Sequence, residues 1–127
     1  MDRGEAWVYG SARVFERAHV FGEATVFDKA RVYGDATVFG ASRVYGNARA
    51  GGSALVYERA QVYGNALVCE RAQVCGGAQA FGTARIGGEA WVYGSVMVFG
   101  QAHVFGEARV RGTAVVAGSV EVYGDIP

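Results

Sequence analysis

Small and β-branched residues return every six positions along this chain without a slip. Counting from Ala6, each sixth residue is Ala at 17 of 21 positions, and Ser42, Val96, Val120 and Ile126 fill the other four. Two residues on comes Val, from Val8 to Val122, replaced only by Ala50, Ala80 and Ile86. Between the two stands a mostly polar residue, such as Arg13, Thr25, Arg31, Gln61 or Gln73. The position after the Val holds all seven Tyr and all seven Phe of the protein. A Gly follows, except where Glu16, Asp28, Glu58 and Glu70 take its place. The unit reads Ala-x-Val-(Tyr/Phe)-Gly-x.

Side chains two apart share one face of a strand, so Ala and Val point inward and the residue between them points out. Gly lets the backbone turn sharply where a Cβ would be strained. Each hexad is therefore a short strand and a corner. One hexad cannot bury its own Ala/Val face, but stacked coils bury all of those faces together. The pattern predicts an all-β, single-domain parallel β-solenoid over residues 1–127, without loop insertions or a capping helix. Successive coils would lie about 4.8 Å apart and pair through parallel backbone bonds.

The repeat resembles that of the hexapeptide-repeat family, the left-handed parallel β-helices, over nearly all of the chain. The resemblance implies a left-handed triangular prism of 18 residues per coil, about seven coils and about 34 Å long. Residues 18 apart should then stack in columns. Arg13, Arg31, Arg49 and Arg85 fall in one such column, interrupted by Leu67 and followed by His103 and Glu121. The aromatic residues fall in three. One runs Tyr9, Phe27, Tyr45, Tyr63, Phe81, Phe99; a second holds Phe15, Tyr33, Phe105 and Tyr123; a third holds Phe21, Phe39, Tyr57 and Tyr93. Rings at that spacing stack offset and supplement a thin Ala/Val core. They are also a candidate surface for lateral association.

Hexads run to both ends of the chain, which leaves strand edges open to a second copy. Asp2, Arg3 and Glu5 are modest charged gatekeepers at one edge, and Pro127 blunts the other. The residues expected to meet there are Trp7, Val8, Val122 and Tyr123. Head-to-tail contact of this kind does not close, so it builds filaments. The expected function is accordingly structural: a self-assembling scaffold that associates end to end or laterally. By architecture it is similar to polymer-forming β-helical proteins such as bactofilins. Two alternatives are a trimeric acyltransferase, which the hexapeptide-repeat resemblance also implies, and a rigid spacer or spike in a larger assembly.

Candidate chemistry changes this picture little. An acyltransferase of this family uses a His at a cleft between subunits, often beside an inserted loop. Here His19 and His103 both occupy the outward position, on different sides, with no loop beside either. A general base needs an orienting partner and an enclosed site. The expectation is no catalytic residue, no cofactor and no small-molecule substrate. Glu16-Arg17, Asp28-Lys29, Glu58-Arg59 and Glu70-Arg71 read as surface ion pairs between coils. The arginine column is a candidate anion stripe, partly neutralised by Asp35, Glu89 and Glu107. Net charge is zero, with 12 basic and 12 acidic residues, so no global field draws in nucleic acid. Cys69 and Cys75 lie on adjacent corners, too far apart to pair, and no His joins them at zinc-ligand spacing. No apolar run is long enough for a membrane span, and MDRGEAWVYG does not read as a signal peptide. These features favour the cytoplasm.

Overall fold

The computed structural model describes residues 6–123, which form one continuous stack. Asp2, Arg3, Glu5, Ile126 and Pro127 lie outside the described residues. Twenty two-residue strands, from Trp7–Val8 to Glu121–Val122, recur every six residues. They assemble into three parallel sheets of seven, seven and six strands. Those are six complete coils and two strands of a seventh. The first face carries the strands from Trp7–Val8 to Val115–Val116. The second runs from Arg13–Val14 to Glu121–Val122, and the third from His19–Val20 to Arg109–Val110.

Every pairing is in register at 18 residues, as in Val8↔Val26 and Val104↔Val122. Outside the strand-to-strand bonds the ladder continues unbroken: the Tyr9 amide donates to the Val26 carbonyl at 3.0 Å and that of Arg13 to Ala30 at 3.0 Å. Inside, the Ala and Val positions form one apolar column, fully shielded from Val20 to Val110. Ser42 stands in for Ala within it. Its hydroxyl is shared between the carbonyls of Phe39, at 2.7 Å, and Val56, at 3.3 Å, so the buried oxygen keeps a partner.

Each corner is a four-residue turn. The Ala12 amide donates to the Tyr9 carbonyl at 3.3 Å across Gly10 and Ser11, and the same bond recurs along the chain. Only the first central residue has positive φ, +68° at Gly10, which makes the turn type II′. In that conformation a Cβ would point along the prism axis into the next coil. One built on Gly64 would stand 2.9 Å from the Gly82 nitrogen, whereas one on Gly118, with φ +75°, meets nothing within 4 Å.

These two positions separate backbone strain from collision. Gly118→Ala should cost about 1 kcal/mol for its left-handed backbone alone. Gly64→Ala should cost about 1–3 kcal/mol more, because the coil above must shift. Thermal melts of the two variants followed by circular dichroism check the difference; equal losses would remove the axial contact from the account.

Candidate functional site

The outward positions carry whatever chemistry the molecule has. The predicted ladder from Tyr9 through Phe27, Tyr45, Tyr63 and Phe81 to Phe99 is continuous, with ring centroids 4.8–5.1 Å apart and planes within 5° of parallel. Its interior rings are half-buried between their neighbours, so they serve as an outer layer of packing. The third column stacks the same way from Phe21 through Phe39 to Tyr57. The second is broken at Gly51, Cys69 and Gly87. The Tyr33 ring leans over Gly51 and occupies the place where a Cβ would stand.

Sequence reading did not foresee that the glutamines are partners of these rings. The phenols of Tyr45, Tyr57 and Tyr63 donate to the side-chain oxygens of Gln61, Gln73 and Gln79, at 3.2, 2.9 and 3.0 Å. The sixteen-residue offset is one coil up and one outward position back, a spacing that alternation within a strand does not reveal. Burial, followed by the neighbouring Cys75 thiol, pushes the Tyr57 phenol up from 10.0 to about 12.

The four acids at the corners are not the inter-coil ion pairs expected of them. Glu16, Asp28, Glu58 and Glu70 hold left-handed backbone, with φ of 58–60°. That geometry directs each side chain up the axis, where its carboxylate accepts the amide of the Gly 18 residues later. Glu16 takes Gly34 at 2.7 Å, Asp28 takes Gly46 at 3.2 Å, Glu58 takes Gly76 at 2.7 Å, and Glu70 takes Gly88. Among the described residues no amide at this turn position donates to a backbone carbonyl, so the acids supply an acceptor the ladder does not.

Asp35 and Glu89 do not neutralise the arginine column either. They pair with Arg17 and Arg71 at 3.1 Å each, in a column of their own at the next corner. The arginine column itself is where it was predicted: Arg13, Arg31 and Arg49 are consecutive cross-strand neighbours on the second face, followed by Leu67, Arg85, His103 and Glu121. Beside it runs a second outward column, and between them lies a groove of about 520 Å³ lined by Lys29, Arg31, Asn47, Arg49, Asn65, Leu67, Thr83 and Arg85.

The remaining candidates stay apart. His19 lies on the third face and His103 on the second, so the two imidazoles do not converge. Cys69 and Cys75 are both free. Cys75 is buried, while burial and the nearby Glu70 raise the Cys69 thiol against the opposing pull of Arg85. Among the described residues no three His, Cys, Asp or Glu side chains gather as metal ligands, and no helix is long and apolar enough to cross a membrane. Of the four expected end residues, Trp7 and Val8 sit on the first coil and Val122 and Tyr123 on the last. Parallel ladders alternate: the Trp7 amide bonds upward to the Ala24 carbonyl, which leaves Val8 directing its own amide to the lower edge of the described stack.

Compared with known proteins, the chain is similar to a family model described as the YdcK beta solenoid repeat, over residues 30–45 and 60–76. Each stretch is close to one coil, as expected of a repeat unit. No curated protein and no solved structure matches the chain. Repeat and fold together make this a β-helix repeat protein.

Two outcomes follow from the outward contacts. Glu58→Ala should destabilise more than Glu58→Gly, by about 1 kcal/mol, because both lose the Gly76 bond but only Ala keeps a strained left-handed backbone; paired denaturant melts decide it. In an alkaline absorbance titration, the phenolate signal removed by Tyr57→Phe should appear near pH 12. The sign follows from a raised pKa: the stability tied to this phenol is fully present below pH 10 and declines as pH climbs toward 12.

Proposed function

We propose that this solenoid is a structural protein whose ends dock on one another, so that copies extend the stack head to tail. What supports the reading is where the exposed apolar surface sits. Of eight exposed large hydrophobic residues among those described, seven belong to the first and last coils. Trp7, Tyr9, Phe15 and Phe21 lie at one end, with Trp7 64% exposed; Val115, Val120 and Tyr123 lie at the other. Tyr9, Phe15 and Phe21 are the first members of the three ladders, and among the described residues no lower coil covers the outer ring face of each.

A second copy would cover those faces and continue the ladders. Its edge amides would meet the carbonyls of the last coil. The contact joins two different surfaces, so it propagates rather than closes. On this reading the chain is analogous in architecture to polymer-forming β-helical scaffolds such as bactofilins, with a mechanical rather than a catalytic role.

Val8 offers a clean test, because its amide points away from the other described residues. Proline is tolerated on an edge strand whose N–H faces outward. Electron microscopy of the untagged protein should show filaments that lengthen with protein concentration. Val8→Pro should cap them, leaving particles of one or two copies, with the melting temperature little changed. A wild-type protein that stays uniformly monomeric at tens of micromolar, or filaments indifferent to Val8→Pro, would sink the proposal.

A further inference from the structure

We infer that the second face is a binding site for a linear acidic polysaccharide lying along the solenoid axis. The inference is independent of end-to-end docking, since it concerns the flank of the prism.

Charge is unevenly spent in this neutral chain. Along the second face, Arg13, Lys29, Arg31, Arg49 and Arg85 project from the outward columns, and the first carboxylate in either column is Glu121, in the last coil. Arg13, Arg31, Arg49 and Arg85 make no ion pair among the described residues. The acids nearest them are occupied. At the two corners that flank this face, Asp28 holds the Gly46 amide and Glu70 the Gly88 amide, while Asp35 and Glu89 pair with Arg17 and Arg71. Those corner carboxylates soften the local field without entering the groove. Parallel pairing holds Arg13, Arg31 and Arg49 side by side at the inter-strand spacing, an arrangement in which like charges repel unless an outside anion compensates them.

The neutral lining identifies the class of anion. Asn47, Asn65 and Thr83 form a column parallel to the arginines and line the same groove. The Asn47 and Asn65 amides both donate and accept, and the Thr83 hydroxyl, which donates to the Gly100 carbonyl at 2.7 Å, still accepts, which suits a partner rich in hydroxyl groups. A purely anionic polymer such as polyphosphate would leave the Asn carbonyl oxygens without donors. A single nucleic-acid strand would want aromatic platforms for its bases, but no ring lines the groove; of the two ladders that flank it, one is interrupted at Gly51, Cys69 and Gly87, and the other turns the phenols of Tyr45 and Tyr63 to glutamines of the first face. A chain of uronic acids offers a carboxylate for the guanidinium forks and hydroxyls for the amide column at every sugar. From Arg31 to Arg85 the stripe spans three coils, about 14 Å, enough to engage several sugars at once. Leu67 is the one gap in its charge.

Isothermal titration calorimetry of the whole chain with an oligogalacturonate tests this, with dextran, single-stranded DNA and inorganic polyphosphate as separate titrants at the same ionic strength. The acidic glycan should bind, more weakly as salt rises, and dextran should not. The double variant Arg31→Gln/Arg49→Gln should weaken binding at least about tenfold, while Arg43→Gln on the first face should change it less than about twofold. Leu67→Arg closes the gap in the stripe and should tighten binding severalfold, which keeps the question answerable if the double variant folds poorly. No binding, equal binding of dextran, tighter binding of DNA or polyphosphate, or an Arg43→Gln effect as large as that of the double variant would overturn the inference.

Discussion

Each coil of this protein is held by the coil before it through an unbroken ladder of backbone amides in 18-residue register, and everything else depends on that ladder. Its bonds run not only through the two-residue strands but also past the corners, where Ser11 reaches Asp28 at 2.8 Å and Arg17 reaches Gly34 at 2.9 Å. Strands this short have little stability alone. Continuous pairing turns twenty of them into three sheets, and the constant register then places identical positions above one another along the whole prism. A residue inserted within a strand would put that strand's side chains out of phase with the strands above and below it.

That register explains how so plain a core suffices. Ala and Val fill a narrow interior completely, but each contributes little apolar area. Stacked rings outside the corners extend the buried surface, and the phenols of Tyr45, Tyr57 and Tyr63 are tied to glutamines in the coil above. The same rings are left uncovered wherever the stack stops. Stability in the middle and, under the docking proposal, adhesion at the ends would be two consequences of one ladder of aromatics.

Register also governs charge. Because residues 18 apart are neighbours, the composition of a column matters more than net charge, and a neutral chain can carry a cationic flank. The carboxylates that would balance that flank serve the backbone at the corners or pair in the next column. A molecule with no global field is left with one directional stripe and a row of amides beside it.

Much of this was legible in the sequence. The six-residue period fixes which residues face inward, and the arginine and aromatic columns follow once 18 residues make a coil, because a solenoid converts sequence spacing directly into contact. What Glu16, Asp28, Glu58 and Glu70 do was not legible. Their neighbours in sequence are cations, and only the left-handed backbone of the turn swings their side chains along the axis, toward glycine amides one coil away. The Tyr–Gln bonds escaped for the same reason: sixteen residues apart is a diagonal across two coils, and whether two side chains meet on a diagonal depends on rotamer and corner geometry. The groove beside the arginines likewise exists only because Ala30, Ala48, Ala66 and Ala84 turn inward between two outward columns. The sequence by itself determined the repeat, its inside and its columns, since these depend only on periodicity; the tertiary structure alone decided which polar groups pair and which stay open, since that depends on the direction of each side chain at the corners.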